Sequence, residues 1–153
     1  MKNFKVVTAI ALASILGLSA CQRAEAAPLP LDASITYVDN TIIDEEGVGV
    51  NLGTEVNNVQ FGLTTFSTDE RLESFGAYAG VPIRIHSTRF TVTPQIRVER
   101  YRQIEETVGG IGLGVDYNLT ETLRLGASGI AARGFDNSDI DGEIYSVGLT
   151  KTF

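Results

Sequence analysis

The chain has 153 residues, with 12 Lys+Arg against 19 Asp+Glu, a formal net charge of −7, one Cys, one His and no Trp. That acidity argues against a nucleic-acid partner, because phosphate binding needs an excess of Lys and Arg. One cysteine excludes an internal disulfide and a cysteine-based zinc site, and one histidine excludes a multi-His metal site, so neither a metal nor a cofactor is expected.

The chain opens on a basic segment, Met1-Lys2-Asn3-Phe4-Lys5, followed by an uncharged apolar run over 6–20. This is the layout of a secretory signal peptide, and the run is shorter than the ~20 residues a membrane-spanning helix needs. Two processing sites are legible. Leu18-Ser19-Ala20-Cys21 matches the lipobox of bacterial lipoproteins, which would make Cys21 a lipidated N-terminus; Ala24-Glu25-Ala26 matches the small-x-small site of ordinary signal peptidase. On the second alternative residues 1–26 are a signal peptide, 27–32 an extended lead-in favoured by Pro28 and Pro30, and 33–153 the folded domain.

Beyond the lead-in no stretch repeats apolar residues at helical spacing. Alternation takes its place. Phe75, Ala77, Ala79, Val81, Ile83 and Ile85 alternate with Gly76, Tyr78, Gly80, Pro82 and Arg84; Phe90, Val92, Pro94, Ile96 and Val98 alternate with Thr91, Thr93, Gln95, Arg97 and Glu99; Ile111, Leu113, Val115 and Tyr117 alternate with Gly112, Gly114, Asp116 and Asn118. Side chains on a strand point alternately to opposite faces, so each segment has one apolar and one small or polar side. The pattern predicts eight strands, near 33–40, 47–56, 59–67, 75–85, 89–101, 108–118, 122–134 and 143–153. Gly110, Gly112 and Gly114 fit this period of two and not a phosphate-binding loop.

Connections at 57–58, 86–88 and 119–121 read as tight turns, and Asn57-Asn58 suits a type I′ hairpin. Those at 39–46, 68–74, 102–107 and 136–142 read as longer polar loops, which hold 12 of the 19 acidic residues. Turns at one end and longer loops at the other are the layout of an outer-membrane barrel.

On the apolar faces charge is confined to Arg100, Arg133, Glu143 and Lys151, all near strand ends, where a charge meeting lipid costs about 0–1 kcal/mol instead of the ~2–4 kcal/mol at mid-bilayer. The opposite faces carry Glu55, Arg84, Arg97, Glu99, Asp116 and Arg124. Enclosed charges are paired or solvated, and an eight-stranded barrel is narrow enough to favour pairing. Arg84 with Glu55, and Asp116 with Arg124 across the 119–121 turn, are the expected pairs of this lumen network. Pro94, by parity, faces outward in mid-strand and deletes a ladder N–H.

The chain ends Tyr145-Ser146-Val147-Gly148-Leu149-Thr150-Lys151-Thr152-Phe153. Apolar residues alternating back from a terminal Phe resemble the C-terminal insertion signal of outer-membrane barrels, with Tyr145, Val147, Gly148, Leu149 and Phe153 in its pattern and Lys151 departing from it. With the signal peptide and eight strands, the chain resembles the small OmpA/OmpX/opacity-type outer-membrane barrels. The resemblance is architectural and covers the whole mature chain. It implies a Gram-negative outer-membrane monomer with both termini periplasmic, three turns on that side and four loops outside the cell. Its partners would be outer-membrane lipid, lipopolysaccharide, the barrel-assembly machinery and a host or cell-surface ligand at the loops.

Three functions fit this reading: a structural or surface-interacting barrel working through four short acidic loops, without catalysis; a narrow porin-like channel; and a soluble periplasmic lipocalin-like carrier, which would turn the apolar faces inward. His86-Ser87 falls in a turn without an acid partner and is not read as catalytic.

Overall fold

The computed structural model describes residues 29–69, 71–86, 88–137 and 139–153; the basic and apolar leader, Cys21 and the Ala26 site lie outside them. Nine strands follow in chain order: β1 (Leu31–Asn40), β2 (Glu45–Val56), β3 (Val59–Ser67), β4 (Leu72–Gly80), β5 (Ile83–Arg84), β6 (Phe90–Tyr101), β7 (Glu106–Asn118), β8 (Leu123–Gly134) and β9 (Asp141–Thr152). Each pairs antiparallel with its neighbours, β1 pairs with β9, and β4 pairs with β6 to close the sheet. β4 and β5 are one stave interrupted at Val81 and Pro82, so the fold is an all-β, eight-stranded, antiparallel closed barrel.

The interruption has a local cause. Val81 N–H donates to the Pro94 carbonyl at 3.0 Å. Pro94 has no N–H to return to Val81, and Pro82 has none either, so the ladder fails where prolines stand on both strands. The register passes from Gly80↔Gln95 to Ile83↔Val92 without slip. No bulge is needed, and the outward parity of Pro94 is kept.

The alternation maps onto the two faces of the wall. Ile96 is 59% exposed, Leu113 55% and Val147 48%, and Leu63, Ile83, Ile111, Val115, Leu125 and Leu149 are exposed with them. Their strand neighbours point to the axis. A carrier that holds apolar residues inward is therefore contradicted: the oily side chains are outside. Outward charges number Asp39, Glu46, Arg100, Arg133, Asp141 and Glu143 at one end and Lys151 at the other, as the register places them. The belt between is free of charge.

Connection lengths differ from expectation. The turn end is closed by segments 57–58, 85–89 and 119–122, the loop end by 41–44, 68–71, 102–105 and 135–140. The strands run on into the loop regions, leaving links hardly longer than the turns. Asp44 and Glu105 explain two of them: each is the last residue of a four-residue connection and adopts positive φ, 54° and 52°, which turns the chain directly into the next strand. Asn57 and Asn58, at φ 52° and 62°, form the two-residue hairpin that the Asn-Asn pair predicts.

Candidate functional site

Among the described residues, the barrel interior is where the fold gathers polar and charged side chains away from bulk solvent. Its residues come from every stave, because closing the sheet turns one parity of each strand toward the axis. Two halves differ in chemistry.

The half nearest the turns is polar. Arg84 Nη2 lies 2.7 Å from both carboxylate oxygens of Glu55, and its Nη1 donates to Asn58 Oδ1 at 3.2 Å. Deeper in, Arg124 Nη2 lies 2.5 Å from Oδ2 of Asp32. Asp32 also accepts from Thr152 Oγ1 at 2.6 Å and Gln60 Nε2 at 3.3 Å, so one carboxylate ties β1 to β3, β8 and β9. Asp116 does not oppose Arg124. The register sets Asp116 against Gly126 and Asn118 against Arg124, and a Cβ at position 126 would come within 2.4 Å of Asp116 Oδ1. The stagger of a closed barrel carries Arg124 past its hairpin partner to the first strand, whose Asp32 belongs to β1 and not to a lead-in.

A cavity of about 100 Å³ occupies this half, lined by Ser34, Asn51, Tyr78, Gln95, Ser128 and Ser146 among others. Tyr78 lies along its wall, reaching past β3 to β2, where Gly53 leaves it room: a Cβ there would lie 2.3 Å from the Tyr78 hydroxyl.

Midway, Arg97 Nη2 donates to Glu99 Oε1 at 2.5 Å and to Thr64 Oγ1 at 2.6 Å. The Tyr101 hydroxyl donates to Glu99 Oε2 at 2.7 Å and accepts from Asn40 Nδ2 at 2.8 Å. This chain of contacts joins β3, β6 and β1, and Asn40 passes it on to the Ile42 amide at 3.1 Å.

The half nearest the loops is apolar. Val38, Phe66, Tyr101, Val108, Ile130, Ala132 and Ile144 form a buried cluster, with Ile42, Ile43, Ile104 and Ile140 packed against it. Phe66 and Tyr101, large rings with inward parity, are 1% and 0% exposed; they fill the lumen. Gly112 admits the cluster, since a Cβ at that position would come within 2.1 Å of the Gly129 carbonyl and 2.9 Å of Ile130 Cγ1. Two acids of the loop regions are buried, not solvated. Glu73 pairs with Arg71 at 2.6 Å, and Glu106 Oε1 accepts from the Asp136 amide at 2.8 Å.

The residues of the terminal signal lie along β9. Tyr145, Val147 and Leu149 point outward, Gly148 faces the lumen against Gly126 and Thr36, and Phe153 N–H donates to the Leu31 carbonyl at 2.9 Å. Lys151 Nζ sits 5.8 Å from the Phe153 ring centroid. Outward rings stand near both rims, with Phe61, Phe90 and Tyr117 toward the turns and Tyr37, Phe75, Phe135 and Tyr145 toward the loops. Phe90 and Tyr117 pack at 5.0 Å between centroids. His86 is exposed in its turn, and Ser87 lies outside the described residues. Among the described residues, no three His, Cys, Asp or Glu side chains converge on a metal position.

Asp32 and the apolar cluster are the features sequence reading missed. Both had a signal. The alternation of Ala33, Ile35 and Tyr37 with Ser34 and Thr36 extends back to Leu31 and Asp32, and the large apolar residues with inward parity all fall within a few positions of the loops.

An apolar outer belt, rims of aromatic rings and a polar core define the architecture of the small eight-stranded outer-membrane barrels. Solved structures of that class superpose on this chain. A de novo designed transmembrane β-barrel matches with a TM-score of 0.61 at 13% identity, over 85% of this chain and 100% of the design. The Yersinia pestis outer membrane protein Ail, solved in a phospholipid bilayer nanodisc, matches with a TM-score of 0.55 at 14% identity, over 82% of this chain and 100% of Ail. Neisserial surface protein A matches with a TM-score of 0.53 at 14% identity, over 82% of this chain and 96% of that one. At these identities the likeness is one of fold. No protein-family profile and no curated protein sequence matches the chain.

Proposed function

We propose that the protein is an integral outer-membrane barrel with a structural or surface-interacting role and no catalytic one. The single observation that carries the membrane reading is the charge-free belt of exposed Ile, Leu, Val and Phe around a polar interior. In water such a belt would be a severe aggregation liability; in a bilayer it is the required outer surface. The strands of β2, β6, β7, β8 and β9 have 12 or 13 residues, enough to cross the roughly 30 Å hydrocarbon layer at the tilt of a barrel.

In this reading the turn end faces the periplasm, with Leu31 and Phe153 side by side there, and the four loops face outward. Lipid and lipopolysaccharide surround the belt, and the barrel-assembly machinery reads the β9 pattern ending at Phe153. The leader directs export, after which the mature chain begins either as lipidated Cys21 or after Ala26; intact mass separates a diacylglyceryl adduct from a clean cut. The carboxylates exposed in the loops, with Asp44, Asp69, Glu105 and Asp139 among them, present an acidic surface to whatever the cell meets.

The test is topological. An epitope inserted in 135–140 is expected to be accessible to antibody on intact cells, and one in 119–122 only after the outer membrane is permeabilised. Recovery of the protein in a detergent-free periplasmic fraction, or the reverse pattern of accessibility, contradicts the proposal.

A further inference from the structure

We infer that the lumen is a one-ended, water-holding vestibule, open toward the turns as far as Arg97, and that an apolar stopper under the loops, not the ion pairs, is the barrier to permeation.

The ion pairs run along the wall. Glu55 on β2 reaches Arg84 on β5 across the single stave β3; Asp32 on β1 reaches Arg124 on β8 across β9. Arg97 and Glu99 are two residues apart on one strand. No ion pair by itself spans the barrel; only the Tyr101 hydroxyl, itself part of the stopper, carries the Glu99 contact across to Asn40 on β1. The apolar cluster does span it: Val38, Phe66, Tyr101, Val108, Ile130 and Ile144 converge from β1, β3, β6, β7, β8 and β9, six of the eight staves, and isoleucines of three loops lie over them. An apolar constriction stops ions by excluding the water they need.

The polar half is built to hold water. Thr93 Oγ1 and the Nε atoms of Arg97 and Arg124 are buried and have no hydrogen-bond partner in the protein; the same holds of Glu73 Oε2 and Ser74 Oγ at the loop rim, away from the cavity. Thr93 and Arg97 line the cavity of about 100 Å³, well above the ~10–15 Å³ that one water needs, and buried donors of this kind are met by ordered water. Inward residues divide at the same level. In the turn half Thr36, Asn51, Gln95, Asp116, Ser128, Ser146 and Thr150 retain partial exposure beside the buried Asp32, Ser34, Thr91 and Thr93, whereas Val38, Asn40, Phe66, Glu99, Tyr101, Val108, Ile130 and Ile144 toward the loops have almost none.

Two arms test this in the full chain carrying Cys21→Ala. Single cysteines replace Ser146, in the vestibule, and Ala132, in the stopper, and a small cationic methanethiosulfonate is applied to the folded protein. Ser146→Cys is expected to react at least about tenfold faster than Ala132→Cys, because thiol reactivity follows access; equal rates overturn the inference. In planar bilayers, Phe66→Ala with Ile130→Ala is expected to open a steady unit conductance that neither the native chain nor Asp32→Asn with Arg124→Gln shows. Conduction by the native chain, or by the ion-pair variant at the level of the stopper variant, overturns it, as does a correctly folded stopper variant that stays closed. Phe66→Ala alone serves if the double variant does not fold. The conductance arm rests on the membrane reading. A chain that never enters bilayers would silence every variant while leaving the labelling contrast intact, so the two readings fail separately.

Discussion

Oδ2 of Asp32, the second residue of β1, lies 2.5 Å from Nη2 of Arg124, the second residue of β8, with the whole of β9 between their strands. Both side chains are largely buried, at 11% and 19% exposed. The contact fastens the barrel wall near its turn end, across the seam where the first and last strands meet. Asp32→Asn and Arg124→Gln are each expected to destabilise the folded state by about 1–3 kcal/mol, since either leaves a lumen charge without its partner. The double variant should lose less than the sum. A urea-titration double-mutant cycle with zero coupling would contradict the pairing.

The Glu55–Arg84 pair is the contrasting case. One arginine nitrogen, Nη2, bridges both carboxylate oxygens, but the arginine side chain is 62% exposed. Exposed pairs of this sort contribute ~0–1 kcal/mol. Glu55→Gln should therefore shift stability little, and its effect should fade in high salt. A loss as large as that of Asp32→Asn would mean the turn end is drier than its exposure indicates.

Tyr101 joins the polar and apolar halves of the interior through one hydroxyl, which donates to Glu99 and accepts from Asn40. Tyr101→Phe keeps the ring and strands both neighbours in a buried setting, at an expected cost of about 1–3 kcal/mol. Phe66→Leu, beside it, removes only apolar contact and is expected to cost about 1–2 kcal/mol. Comparable denaturation midpoints for the native chain and Tyr101→Phe would show that the hydroxyl is not held as described.

The positive φ of Asn57 and Asn58 fixes the register of β2 and β3. Asn57→Val should destabilise the hairpin by ~1–2 kcal/mol, because a β-branched residue resists the left-handed region, while Asn57→Gly should be nearly neutral. Equal stability of the valine and glycine variants would contradict the type I′ geometry.

How much of this was legible follows from what a strand encodes. Parity holds along an unbroken strand, so the outward set from Phe61 to Leu149 and the inward set from Glu55 to Arg124 could be read residue by residue, while Glu73, beside the register shift at Phe66 and Ser67, escapes it. Distance across a closed sheet is not encoded locally. The Arg84–Glu55 pair joins staves two apart at one rim, and their common end hinted at it; the Asp32–Arg124 pair depends on the stagger with which the first strand meets the last, which no single hairpin reveals. Loop lengths were overestimated because Asp44 and Glu105 take up positive φ without the Gly or Asn that normally advertises it. The stopper was hidden because Val38, Phe66, Ile130 and Ile144 obey the same period as the polar lumen residues and differ only in being near the loops.

The central claim is that the apolar belt faces hydrocarbon. The chain contains no Trp, so Leu113→Trp introduces a single reporter at the middle of that belt. Folded into phospholipid vesicles with brominated acyl chains, this variant is predicted to emit at short wavelength and to be strongly quenched, whereas Ser128→Trp, on the lumen side of the neighbouring strand, is quenched far less. Emission from Leu113→Trp at the wavelength of a water-exposed indole, unaffected by the brominated lipid, would contradict the account.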